Sequence, residues 1–139
     1  MLAFRSRKCI YTSHIPEPTI LVNQGDYVKI TLKNQLSENT SIHWHGLIVP
    51  NRMDGFPGPG GSPVIRPGES FTYEFYVHQS GTLMYHSHVN TAVQEIIGLS
   101  GMFISRGVFD ESLQRDMYCF YKNGPLRWIQ TAGCQQVIK

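Results

Sequence analysis

Two short motifs carry the chemistry open to this chain. His43-Trp44-His45 and His86-Ser87-His88 each set two imidazoles two residues apart. On an extended strand, residues i and i+2 project from the same face. Each motif therefore presents a pair of nitrogen ligands, with Trp44 or Ser87 turned the other way. If the two strands are neighbours, four imidazoles converge on one patch. Imidazole suits copper, zinc, iron and nickel. An array of four without carboxylate or thiolate company favours copper or zinc over magnesium or calcium, and spacing alone leaves the metal open between them. The other histidines take ordinary readings: His14 precedes Ile15-Pro16 in a loop, and His78 ends the solvent face of a strand. Neither is expected to bind metal. Met84 shares the face of His86 and is expected to pack in the core.

The elements that must position these motifs are strands. Residues 27–33 alternate, with Val28, Ile30 and Leu32 on one side and Lys29, Thr31 and Lys33 on the other; period 2 marks a half-buried strand. Phe71, Tyr73, Phe75 and Val77 alternate with Thr72, Glu74, Tyr76 and His78 in the same way. Residues 19–22, 41–45, 82–88 and 102–104 read as further short strands. Turn chemistry at 23–26, 66–69 and 79–81 separates them. Residues 55–63 form a Gly/Pro-rich loop, and 91–99 is the one helix candidate. Many short strands with regular punctuation predict an all-β chain, an antiparallel Greek-key sandwich or barrel. Trp44 and Tyr85, alternating with the ligands, are expected to pack inside and so aim the imidazoles. Beyond residue 110 the pattern degrades, with a strand candidate at 117–121.

Composition narrows the function classes. The chain has 139 residues and is 41% hydrophobic, enough for one packed core. A net charge of +2 without a Lys/Arg run does not make a nucleic-acid surface. No apolar stretch approaches a membrane span. The residues after Met1 lack the long apolar run of a leader peptide. Cys9, Cys119 and Cys134 are three, widely spaced and without a CxxC pattern, so unpaired thiols are expected.

The flanking residues add a resemblance. His43-Trp44-His45-Gly46-Leu47, followed by Val49-Pro50-Asn51 and Met53-Asp54-Gly55, resembles the first copper motif of multicopper oxidases, and Gly81-Thr82-Leu83-Met84-Tyr85-His86-Ser87-His88 resembles the second. The segment from Ile15 to Asp26 resembles the stretch upstream of the first motif. Gly98-Leu99-Ser100-Gly101-Met102-Phe103-Ile104 resembles the strand that closes the domain. Order and spacing match over roughly residues 11–105, and the laccase-like and copper-resistance members look most similar. The resemblance implies a cupredoxin-like fold over residues 1–109, with 110–139 unassigned. It also implies a cofactor of type 2 and type 3 copper ions, three in all, held between the first and last cupredoxin domains and reducing O2 to water. His43 matches the type 2 ligand. His45 and His86 match ligands of one type 3 ion, and His88 a ligand of the other. Asp54 matches a carboxylate that delivers protons to the cluster; Asp54-Gly55 is equally the composition of a turn.

The sequence also departs from the family pattern. A blue copper site needs a Cys with two His ligands, and neither Cys119 nor Cys134 has a His neighbour. The domain that supplies the other four histidines is not legible. Pro16-Glu17-Pro18 stands where Pro-Gly-Pro is usual, and the match begins late, which predicts an open sheet edge. The expectation is a truncated or frame-shifted oxidase that needs a complementary cupredoxin domain or chain and is not an oxidase alone. The competing readings are a non-catalytic copper-binding module and a gene product without present function. Family members work in the periplasm or outside the cell.

Overall fold

The computed structural model describes residues 18–110 and the backbone of Arg7–Lys8. Cys9, His14, Cys119, Cys134, the strand candidate at 117–121 and residues 111–139 lie outside the described residues. The elements run β1 (Arg7–Lys8), β2 (Ile20–Asn23), β3 (Tyr27–Lys33), β4 (Ile42–His45), a 3-10 turn (Asn51–Met53), β5 (Ser70–Tyr76), β6 (Gly81–Ser87), α1 (Thr91–Ile96) and β7 (Ser100–Arg106). The strands form two sheets, ordered β1-β3-β5 and β2-β7-β6-β4. The expected all-β, cupredoxin-like architecture is thus present, with one short α-helix among the described residues.

The alternation seen in the sequence is the alternation of burial. Val28, Ile30 and Leu32 face the core from β3, and Tyr73 and Phe75 face it from β5. Trp44 is fully buried at the centre. Its indole meets Tyr73 and Phe75 of the opposite sheet at centroid distances of 5.3 and 5.4 Å, and Tyr85 and Phe103 of its own sheet at 5.8 and 5.9 Å. Edge-on and tilted aromatic pairs at these separations add to the area they bury. The two sheets are also tied by a hydrogen bond, the Ile42 amide donating to the Tyr73 hydroxyl at 2.9 Å. Burial pushes that phenol up to about 12.

The inner pairs β3/β5, β4/β6 and β6/β7 are antiparallel, as expected, whereas β1/β3 and β2/β7 run parallel. A parallel pair needs a crossover, and β2 reaches β7 only after the chain has built the rest of the sandwich. Such long-range pairing leaves no local signature. The pairing of Arg7–Lys8 with Ile30–Thr31 covers part of a sheet edge that the sequence reading left open.

Candidate metal centre

The β4/β6 ladder does what the two motifs required. His43 lies directly opposite His86, Trp44 opposite Tyr85 and His45 opposite Met84. Period 2 then sends Trp44 and Tyr85 into the core and the imidazoles to the other face. Ligand atoms of His43, His45 and His86 all lie within 4.8 Å of one another. The ring of His88, just past the end of β6, sits 5.2 Å from that of His43 and 6.1 Å from that of His86. All four histidines therefore share one patch, with His88 at its margin, outside the tight group of three. Phe56, from the Gly/Pro-rich loop, packs edge-on against His88 at 5.0 Å.

Backing groups determine which ring nitrogens face outward. The Asp54 carbonyl lies 2.8 Å from His43 Nδ1 and its carboxylate Oδ1 3.3 Å away. A carbonyl can only accept, so Nδ1 carries a proton and Nε2 is the nitrogen left to face a metal. His86 repeats the arrangement. Its Nδ1 lies 2.9 Å from the Ser87 carbonyl and 2.8 Å from Glu95 Oε1, both acceptors, which again frees Nε2. That Nε2 stands 3.4 Å from His45 Nδ1. This is long for a nitrogen–nitrogen hydrogen bond. Two nitrogens bound tetrahedrally to one ion at about 2.0–2.1 Å lie about 3.3–3.4 Å apart, so the pair has the spacing of shared ligands.

Exposure differs among the four. His45 is exposed and His43 and His88 are half-buried, but His86 is buried, with 9% of its surface accessible. The helix α1 reaches over His86 through Glu95. Burial, first of all, holds the His86 pKa below its ordinary 6.5, and the neighbouring His43 and His45 push the same way, against the Ser87 carbonyl and Glu95. A neutral imidazole is the form that binds metal.

The local sequence explains the backing groups. Asp54 ends the 3-10 turn, and Gly55 follows at φ +81°. A Cβ at Gly55 would fall 1.7 Å from the Ile42 carbonyl oxygen and 2.6 Å from the His43 amide nitrogen. Only glycine lets this loop press onto β4, and that approach carries Asp54 to His43. Ser62 closes the loop, accepting from the Gly55 amide at 2.6 Å and donating to the Arg52 carbonyl at 2.9 Å. Asp54-Gly55 is thus a turn pair and a neighbour of His43 at once.

Three features escaped the sequence reading. Glu95 touches a candidate ligand from a helix. Gln94, fully buried, anchors that helix: its Oε1 accepts from the hydroxyls of Thr40, at 2.9 Å, and Ser87, and its Nε2 donates to the Asn39 carbonyl at 2.8 Å. The signal was a Gln-Glu pair within the only helix candidate, shortly after the second motif. Met84, expected in the core, is instead half-buried opposite His45 on the imidazole face. His78 is exposed with its ring against Tyr76 at 6.2 Å. No helix among the described residues is long and apolar enough to cross a membrane.

Comparison with known proteins agrees with this geometry. Residues 4–107 match the multicopper oxidase family model. The multicopper oxidase mco of Staphylococcus haemolyticus is 48% identical over 95 residues, covering 66% of this chain and 20% of that protein. Copper resistance protein A of Escherichia coli is 43% identical over 90 residues, covering 65% of this chain and 14% of its own length. Among solved structures, a multicopper oxidase from Campylobacter jejuni, described as a metallo-oxidase, superposes with a TM-score of 0.63 at 38% identity, covering 68% of this chain and 20% of that one. A laccase-like multicopper oxidase of Ochrobactrum sp. reaches a TM-score of 0.68 at 28% identity, covering 80% of this chain and 25% of that one. The chain spans about a fifth or less of the length of these curated relatives. With two histidine pairs on adjacent strands of a cupredoxin-like sandwich, and a family match running through both, the chain belongs to the multicopper oxidase family, whose cofactor is copper.

Proposed function

We propose that residues 1–109 act as the first cupredoxin domain of a multicopper oxidase and supply four imidazoles, half the ligands of a trinuclear copper cluster. His43 is assigned to the type 2 ion, His45 and His86 to one type 3 ion, and His88 to the other. A complete cluster of this kind reduces O2 to water. The observation that carries the reading is the 3.4 Å between His86 Nε2 and His45 Nδ1, the spacing of two ligands on one ion. The donor set fits copper: three clustered imidazoles, of which His43 and His86 are aimed by acceptors behind them, with no thiolate in the group.

Asp54 is assigned to proton delivery. Its carboxylate is 30% exposed beside His43, so Oδ1 can take a proton from water and hold it next to the site. A complementary cupredoxin domain supplies the remaining histidines and covers the site. The exposed apolar side chains of Phe56, Val93, Ile96 and Ile97 support this: they lie on the loop that touches His88 and the helix that touches His86, and apolar surface of this kind marks an interface. The chain alone binds copper without turning over O2.

The test is electron paramagnetic resonance of the full chain titrated with copper(II). Nitrogen hyperfine structure is expected, weakened by His45→Ala or His86→Ala and untouched by His78→Ala. A spectrum indifferent to all four candidate ligands refutes the assignment.

A further inference from the structure

We propose that Glu95 is a positioning residue for His86: by accepting the Nδ1 proton it holds the imidazole in the tautomer and orientation that present Nε2 to the metal. The inference rests on the metal-centre reading and adds a residue to it.

The geometry comes from α1. Thr91–Ile96 packs on β6, tethered by the buried Gln94 side chain to Thr40, Ser87 and the Asn39 carbonyl. Fixing Gln94 fixes its neighbour, and Glu95 Oε1 arrives 2.8 Å from His86 Nδ1. A carboxylate accepting from a neutral imidazole forms a charge-assisted bond, shorter and stronger than one to a carbonyl. The Ser87 carbonyl shares the same proton at 2.9 Å, but it belongs to the next residue and so constrains the ring less than a group reaching in from a separate element. Only about a third of the Glu95 side chain is exposed, and 11% of the His86 side chain, so water competes poorly for the contact. A carboxylate behind a ligating imidazole also raises the basicity of the free nitrogen. His43 has its own backing in Asp54, which gives the two opposed histidines of the ladder the same support from two unrelated segments.

The experiment uses nitrogen-15 NMR of the full chain, first without metal, to read the His86 tautomer, and then copper(II) titration. Glu95→Ala is expected to raise the Nε2–H tautomer of His86 and weaken copper binding about 10-fold or more, within the range for lost ligand supports. Glu95→Gln keeps an acceptor oxygen and is expected to restore both. The urea midpoint of each variant shows that the fold is intact. An unchanged tautomer in Glu95→Ala overturns the proposal, because the Ser87 carbonyl then suffices. A shifted tautomer with unchanged copper affinity overturns it too. A shifted tautomer in a chain that binds no copper even as wild type supports the positioning of the ring and refutes the metal-centre reading instead.

Discussion

Gly55→Ala tests the link between backbone and site. Gly55 sits at φ +81°, and its missing Cβ would lie 1.7 Å from the Ile42 carbonyl oxygen and 2.2 Å from the carbonyl carbon. The left-handed conformation costs an alanine about 1–2 kcal/mol. The clash is with backbone, so no rotamer relieves it, and displacing the loop costs about 1–3 kcal/mol more. Loss of the Gly55–Ser62 hydrogen bond adds about 1 kcal/mol. The total is about 3–6 kcal/mol, a large share of the roughly 5–15 kcal/mol that holds a domain together. With a urea slope of about 2 kcal/mol/M, the unfolding midpoint should fall by roughly 2 M. Displacing the loop also withdraws Asp54 from His43, so copper(II) affinity should fall about 10-fold. Gly25→Ala is the control: its φ is +90°, but nothing lies within 4 Å of the added carbon, so it carries the conformational cost alone. If the two variants lose the same stability, or if Gly55→Ala binds copper as well as wild type, the close approach does not position Asp54.

Four further outcomes are expected. Trp44→Ala empties the centre of the sandwich and should cost about 3–5 kcal/mol, read as a fall in urea midpoint. Gln94→Leu removes one partner each from the Thr40 and Ser87 hydroxyls and the Asn39 carbonyl; it should destabilise by about 3 kcal/mol and speed amide exchange across Thr91–Ile96. The metal-free chain should lose stability as pH falls. The His86 pKa lies below its ordinary 6.5 when folded, so the unfolded chain takes up the proton first. This contribution is whole above 6.5 and is lost as pH falls through 6.5 toward the folded value. His86→Asn should flatten that part of the pH dependence of the urea midpoint, and an unchanged slope would count against the burial of His86. Asp54→Asn keeps the backbone carbonyl that backs His43, so it should lose less copper affinity than the roughly 10-fold expected for a lost ligand support while slowing O2 reduction in the complete enzyme.

The parts of the structure legible in the sequence are those set by period 2. Val28, Ile30 and Leu32 advertise a strand because one face must be buried, and the two His-x-His motifs advertise a ligand face for the same reason. What was not legible depends on contacts distant in sequence or on an inverted pattern. The β2/β7 register joins residues some 80 apart, and nothing local encodes it. The helix α1 buries Gln94 and exposes Val93 and Ile96, as well as Ile97 just past its end, the reverse of an amphipathic helix packed by its apolar face. A reading by hydropathy turns the helix the wrong way and points Glu95 away from His86. The burial of His86, and the half-exposure of Met84 across from His45, follow from the packing of that helix on β6 and from the β4/β6 register.

The central claim is that His45 and His86 hold one copper ion between them. A double-mutant cycle measured by copper(II) calorimetry on the full chain tests it most directly. If the two imidazoles share an ion, His45→Ala and His86→Ala should each remove most of the same binding event. The double variant should then lose far less than the sum of the single losses, with a coupling above about 1 kcal/mol. Strictly additive losses, or a His86→Ala variant that binds as tightly as wild type, would contradict the account.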